Sequence, residues 1–429
     1  MTNPIHRRRF LETTAAAGLV AGGARTIRAD DGDANETLVV AVMGTGGRGT
    51  GHAHNFARMK GCRVAYVCDV DRRRAEAAAA VVSKAGSGRT PEAVTDFRRI
   101  LDDRNVDALV IATCNHWHAP AAILACAAGK HVYVEKPCSH NPHEGELTVE
   151  AARKHNKVVQ MGNQRRSWPK VIEAVERIRS GAIGRPYFAR SFYNNNRPSI
   201  GRGHETAPPE GLDYALWEGP APHRPFHNNY LHYNWHWFWH WGNGELGNNG
   251  VHYVDVCRWA FGVDYPVRVT SAGGRYRYHD DQETPDTHVV TFEFPGEKTI
   301  TWEGLSCNGY RPGGNSDEMI FTGEEGSLGI TGGGYRIYDL TGKVKEKVSG
   351  PGGDNGHLAN FVAAIRGQAK PNSEILEGHR STLLCHLGNI AHRTGRTLNC
   401  DPKDGRILHD DQAMKLWTRE YTPAWEPKV

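Results

Sequence analysis

Residues 37–49 read Thr-Leu-Val-Val-Ala-Val-Met-Gly-Thr-Gly-Gly-Arg-Gly, an apolar run ending in a glycine-rich turn. An apolar run without alternation predicts a parallel strand covered on both faces. The turn has the spacing G-x-G-x-x-G over Gly44, Gly46 and Gly49, with Gly47 and Arg48 between the last two. At a strand-to-helix junction this spacing has a mechanical meaning. Gly44 permits the tight turn, Gly46 lets backbone approach a pyrophosphate, and Gly49 lets the next helix, expected over 50–59, pack close to the strand. The pyrophosphate then sits at the positive helix N-terminus.

The flanking pattern strengthens a motif that is weak alone. A second apolar strand over 64–68 ends at Asp69. An acid there accepts hydrogen bonds from the adenosine ribose hydroxyls and repels a 2′-phosphate, favouring NAD over NADP. Arg72, Arg73 and Arg74 keep NADP open, because one of them, Arg73 being our candidate, can bind that phosphate or cover the adenine. A helix over 71–85, a strand over 108–112, a helix over 120–128, and strands over 131–135 and 158–161 continue the alternation. The fold class is therefore α/β, with a doubly wound parallel Rossmann sheet over 36–161 and a second domain over 162–429.

Composition bounds the rest. The chain has 429 residues, 39% of them hydrophobic and 23% charged, as in ordinary globular proteins. No apolar stretch is long enough for a conventional transmembrane helix. The net charge of +4 resides in the first 29 residues; beyond them basic and acidic residues balance, so no nucleic-acid partner is expected. Arg7-Arg8-Arg9-Phe10-Leu11 precedes a small-residue run over 13–24. This resembles a twin-arginine export signal, R-R-x-F-L, spanning 1–29 and implying a periplasmic or other extracytoplasmic protein exported already folded. The nine cysteines form no C-x-x-C pair, and Cys68, Cys114 and Cys126 read as packing thiols.

The strand at 132–134 ends in Glu135-Lys136-Pro137. Together with the glycine turn and the loop expected at Asn115-His116-Trp117-His118, this ending resembles the Gfo/Idh/MocA oxidoreductase family. The resemblance implies a second α/β domain built on a large open, mostly antiparallel sheet. It also implies a retained nicotinamide cofactor held by Gly44, Gly46, Gly47, Arg48, Gly49, Asp69, Arg73, Thr113, Asn115, His118, Glu135 and Lys136. A carbohydrate or cyclitol substrate and a homo-oligomer are further implications. Lys136 lies at the C-terminal end of a parallel strand, where the crevice of an open α/β sheet forms. Desolvation there pulls a lysine pKa down from about 10.4. The amine can then take a proton from a substrate hydroxyl while the neighbouring carbon gives hydride to nicotinamide. Pro137 is expected to hold the turn, and the bond before it can be cis in such families.

The family pattern L-x-D-x-G-x-H-x-x-D is matched by Leu246-Gly247-Asn248-Asn249-Gly250-Val251-His252-Tyr253-Val254-Asp255, with Asn248 in the aspartate position. His252 is the expected partner of Lys136. On a helix Asn248 shares its face. Asn248 can orient a hydroxyl but carries no negative charge. Asp255 either orients His252, touches substrate, or supports the helix.

Upstream, residues 229–241 place His232, His236 and His240 among Trp235, Trp237, Trp239 and Trp241. As a strand, the run puts the tryptophans on one face and His236 and His240 on the other, suiting a sugar pocket. As a helix, it pairs the two histidines at metal-ligand spacing, although no H-E-x-x-H is present and no metal is expected. A buried aromatic layer is the third reading. Asn163, Gln164 and Arg165, after the strand at 158–161, are candidate substrate contacts, and the loop over 198–209 is a candidate lid or surface excursion. Residues 267–338 read as strand-rich, with a hairpin turning at 295–297 and loops at 309–315 and 332–334. Helical periodicity follows over 357–365 and 380–393, in helices that can return to the first domain.

Three functions fit. One is a nicotinamide-dependent oxidoreductase acting on a secondary hydroxyl or ketone of a sugar, cyclitol or glycoside. The second is a redox-neutral NAD-dependent glycosidase working by oxidation, elimination and re-reduction. The third is a non-catalytic relative that binds nucleotide or sugar.

Overall fold

Leu38–Met43 forms β1, with Val40, Ala41 and Val42 wholly buried, as a strand covered on both faces requires. The computed structural model describes residues 37–86, 89–310 and 317–429; the arginine motif at 7–11 and most of the loop at 309–315 lie outside them. The alternation continues through α1 (Gly47–Arg58), β2 (Cys62–Cys68), α2 (Arg72–Ala85), β3 (Glu92–Val94), α3 (Arg98–Asp102) and β4 (Ala108–Ile111). It ends with α4 (Asn115–Ala127), β5 (His131–Val134), α5 (Pro142–Lys154) and β6 (Val159–Met161). The six strands run parallel in the order β3-β2-β1-β4-β5-β6, the doubly wound arrangement whose crevice opens at the strands' C-terminal ends.

Two details differ from the sequence reading. The short edge strand β3, with two of its three residues exposed, carries no hydrophobic signature and was not anticipated. The stretch Asn115-His116-Trp117-His118 is the first turn of α4 rather than a loop, even though Pro120 lies inside that helix. Proline offers no N–H to the carbonyl four residues earlier. That carbonyl, of His116, accepts instead from Arg419 Nη2 at 3.5 Å.

After α6 (Pro169–Arg179) the second sheet begins with β7 (Pro186–Asn196). An excursion containing α7 (Tyr214–Glu218) and a π-helical turn (Leu246–Gly250) leads into α8 (Val251–Phe261). The sheet then adds β8 (Arg268–Gly274), β9 (Thr287–Phe294), β10 (Lys298–Leu305), β11 (Cys307–Asn308), β12 (Met319–Gly323), β13 (Gly326–Thr331), β14 (Gly334–Tyr338) and β15 (Val344–Val348). Helices α9 (Asn355–Ile365) and α10 (Ile375–Thr394), the strand β16 (Leu398–Asn399) and α11 (Asp411–Met414) close the chain. Ten strands form this sheet, antiparallel except where β10 runs parallel to β7, and β9–β10 is the expected hairpin.

β9 shows strict alternation, with His288, Val290, Phe292 and Phe294 buried and the intervening side chains half-exposed. One face of the sheet is therefore covered, by α8 and α10. Helix α9 does return to the first sheet: Leu358, Phe361 and Val362 pack with Val40, Val42 and Phe56 in one core. Residues 37–429 accordingly form one compact unit carrying two sheets. All nine cysteines are free, eight of them buried.

Candidate active site

The glycine turn follows the mechanics of its spacing. Gly44 sits at φ 84°, and a Cβ there would meet the Ala112 carbonyl at 2.6 Å. A Cβ at Gly49 would fall 1.8 Å from the Gly44 oxygen, so α1 reaches its position only with glycine there. At Gly47 the space beside the backbone is open, and at Gly46 the nearest neighbour is the Arg74 guanidinium at 3.2 Å. Gly46 caps α1 without a side chain, leaving the first-turn amides free of a cap acceptor. Asp69 pins the turn to the end of β2, accepting from Thr45 N at 2.7 Å, Thr45 Oγ1 at 3.2 Å and Asp71 N at 3.0 Å.

These elements line a cleft of about 490 Å³ that also takes in Thr113, Asn115, His118, Glu135, Lys136 and Asn248. Part of its wall comes from the excursion after β7. Leu212 bridges to Asp71, Asp213 N donates to Val70 O at 2.9 Å, and Leu216, Trp217, Tyr233 and Trp235 face the cleft. An uncapped helix N-terminus, open glycines and an acid at the end of β2 fit a dinucleotide. Arg73 does not join them: its side chain is 67% exposed and turns back to Asp71, whereas Arg74 lines the cleft. Three consecutive arginines hide this choice, which rests on Asp71 capping α2 and so setting the helical phase.

Glu135 follows β5 directly as a buried carboxylate, accepting from Arg48 Nε at 2.8 Å and Gln164 Nε2 at 3.0 Å, and paired with His52 Nε2 at 2.8 Å. Burial alone would raise its pKa, but Arg48 and His52 outweigh that and hold it well below the usual carboxylate range. Arg48 also reaches Asp354 at 2.7 Å, tying the glycine turn to the start of α9. The Lys136–Pro137 peptide is cis. Lys136 Nζ donates to the Asn248 carbonyl at 2.8 Å and to Asn248 Oδ1 at 3.2 Å. Burial pushes its pKa down.

Asn248 lies in the π-helical turn and His252 in α8, so the plain helical spacing expected for the pair is interrupted between them. His252 is half-buried and held neutral, first by burial and then by the Lys136 charge. Its Nδ1 is buried with no hydrogen-bond partner among the described residues.

The remaining candidates divide. His236 lines the cleft, stacked on Trp235 at 3.6 Å, with Nδ1 2.6 Å from the Tyr233 carbonyl and its pKa lowered by burial to about 3. His240 faces a different cavity and bonds the Pro222 carbonyl at 2.7 Å. Residues 229–241 are neither strand nor helix. They form an irregular loop with one 3-10 turn, because Tyr230, Trp235, Phe238 and Trp241 fold together with Trp217 into one aromatic cluster. Among the described residues no group of His, Cys, Asp or Glu is arranged to hold a metal ion.

Gln164 supports Glu135 and the Tyr133 hydroxyl, at 2.9 Å from the latter. Arg165 pairs with Glu318 at 2.7 Å over the Tyr253 ring, and Asn163 is buried; none of these three lines the cleft. Asp255 neither orients His252 nor reaches the cleft: it is fully buried, with Arg166 at 2.8 Å and Ser381 Oγ at 2.6 Å. Sequence reasoning names Arg74 beside the preferred Arg73 and puts Arg197 only at the edge of a candidate lid, and it passes over His52 and Glu245. Of the two passed over, Glu245, three residues before Asn248, had a signal available in the motif's own spacing.

Comparison with known proteins identifies the family. Residues 38–163 match the NAD-binding Rossmann fold of the Gfo/Idh/MocA oxidoreductase family, and residues 200–427 match its C-terminal alpha/beta domain. An inositol 2-dehydrogenase from Rubrobacter xylanophilus is 34% identical over 163 residues, covering 38% of this chain and 45% of the relative. A glycosyl hydrolase family 109 protein from Solibacter usitatus is 30% identical over 208 residues, covering 45% and 47%. The chain thus spans about half the length of the curated relatives it matches. The WlbA dehydrogenase from Bordetella pertussis, solved with NADH and UDP-GlcNAcA, shares the fold at a TM-score of 0.63 and 21% identity, over 85% of this chain and 99% of that one. With an NAD-binding Rossmann sheet leading into the matching C-terminal domain, the chain belongs to the Gfo/Idh/MocA oxidoreductase family.

Proposed function

We propose that the protein is an NAD-dependent oxidoreductase that interconverts a secondary hydroxyl and a ketone on a sugar, cyclitol or glycoside. The observation carrying this reading is Lys136 at the end of β5, half-buried at the cleft with its Nζ held by Asn248. Bound nicotinamide supplies the hydride chemistry. Gly46, Gly47 and the α1 N-terminus would hold its pyrophosphate, and Asp69 its ribose hydroxyls. Lys136, its pKa lowered by burial, takes the hydroxyl proton in the oxidative direction and returns it in the reductive one. Neutral His252 donates to or accepts from a substrate oxygen, and Asn248 orients Lys136.

Replacing Lys136 with Ala is expected to lower turnover on a cyclitol and glycoside panel by at least about 100-fold while NAD binding persists. Unchanged turnover in that variant overturns the assignment.

A second reading keeps these residues but ends redox-neutral, as a glycosidase that oxidises, eliminates and re-reduces. The wall that Leu212, Trp217, Tyr233 and Trp235 build over the nucleotide cleft supports a retained cofactor, and the family 109 relative supports the reaction class. Export through the arginine motif, also part of this proposal, favours it, since a periplasm holds no large exchangeable nicotinamide pool. Denaturing the purified protein and finding about one NAD per chain, with aryl-glycoside cleavage and no net NADH, selects this reading. Net NADH formation with added cofactor selects the first.

A further inference from the structure

The family motif has a carboxylate where this chain has Asn248, and the structure shows what surrounds the substitution. Glu245 lies three residues earlier, 3% exposed. Its Oε1 accepts from Asn248 Nδ2 at 3.3 Å and from Asn249 Nδ2 at 2.5 Å, and its Oε2 accepts from Arg197 Nε at 2.8 Å. The other end of the Asn248 amide, Oδ1, meets Lys136 Nζ at 3.2 Å. An amide has an acceptor at one end and donors at the other, so it can join an ammonium to a carboxylate with every contact favourable. An aspartate at 248 would instead set two carboxylates side by side, an arrangement that resists ionisation of both.

We infer that Glu245 takes the place of the motif's missing carboxylate, as a positioning residue that acts on Lys136 through the Asn248 amide.

The inference rests on the reading of Lys136 as proton carrier. Asparagine at 248 is then not a lost function but the linker a carboxylate one turn back requires. Arg197 holds Glu245 in place through Nε at 2.8 Å, and is itself held against the faces of Trp237 at 5.1 Å and Tyr233 at 5.5 Å. Tyr233 lines the cleft, so the chain from Lys136 to Arg197 ends at the same wall a substrate would meet. The charged and titratable groups acting on Lys136 are Glu135, Arg48, Glu245 and Arg197, with His252 and His236 facing it as neutral rings.

The test reads Lys136 directly and needs no substrate. The NAD-loaded full chain is labelled with trace acetic anhydride across a pH series, and the Lys136 peptide is quantified by mass spectrometry against a reference amine. Glu245→Gln is expected to lower the labelling midpoint by about 0.5–1 pH unit, since it removes the negative charge that favours the ammonium. Asn248→Asp is expected to raise it. On an Asn248→Leu background, Glu245→Gln should shift the midpoint by less than half as much, because the linker is gone. An unmoved midpoint in folded, NAD-binding Glu245→Gln overturns the inference. So does an undiminished shift on the Asn248→Leu background, which would mean that Glu245 acts through space alone. Should Glu245→Gln fail to fold, Arg197→Met reads the same chain from its far end: a shifted midpoint supports the inference and an unmoved one overturns it. Retained turnover in Lys136→Ala would remove the catalytic reading of Lys136, yet leave these midpoints to decide the linkage.

Discussion

Replacing Asp255 with Ala separates a structural role from a substrate role at a position where the sequence left both open. Asp255 is fully buried and accepts from Arg166 Nε at 3.0 and 2.9 Å, Arg166 Nη2 at 2.8 Å and Ser381 Oγ at 2.6 Å. Arg166 is itself only 4% exposed. Without Asp255 it would keep Glu377 at 3.4 Å and the Trp259 face at 5.4 Å, neither of which replaces a close bidentate carboxylate. Breaking one half of such a pair costs about 3–5 kcal/mol, mostly because the remaining charge stays buried. In a chain of this size each kcal/mol corresponds to roughly 1 °C, so Tm should fall by about 3–5 °C. Urea unfolding of NAD-loaded protein, followed by far-UV circular dichroism, should show a lower midpoint at unchanged slope. The double change Arg166→Met with Asp255→Leu should cost less than the single one, since no charge is stranded. A loss below about 1 kcal/mol, or a raised KM at unchanged stability, would refute the structural assignment and return Asp255 to the substrate site.

Other consequences follow from the same geometry. Gly49→Ala drives a methyl to within 1.8 Å of the Gly44 oxygen and should weaken NAD affinity by about 10- to 100-fold, whereas Gly47→Ala, with open space beside it, should stay within a few-fold by calorimetric titration. Equal losses in the two would contradict the packing argument. Burial lowers the pKa of His357 and His379 to about 4 and of His288 and His386 to about 3, so in acid the unfolded chain binds protons that the folded one excludes. Stability should therefore decline as pH falls below about 6.5, each ring withdrawing up to about 2 kcal/mol by pH 5. A urea midpoint that stays flat from pH 7 to 5 would refute this.

The reading of the second half shows where sequence stops. The hairpin β9–β10 and the buried faces of α9 and α10 followed from period-2 and helical spacing, because each is decided by residues close in the chain. The aromatic run did not follow. Trp235 and Trp241 are buried by closing on Tyr230 and Trp217, contacts whose value depends on chain path rather than on any local period.

The sequence by itself determined the Rossmann sheet, the mechanical roles of Gly44 and Gly49, and the place of Lys136 at a strand end. Each rests on a local rule: strand hydrophobicity, glycine's missing Cβ, or a fixed distance along the backbone. Only the tertiary structure decided which charges meet. Arg166 with Asp255, Arg48 with Glu135 and Asp354, and Arg197 with Glu245 are pairs remote in sequence. A buried charge is tolerated only where the fold brings its partner, and no local pattern records which partner that will be.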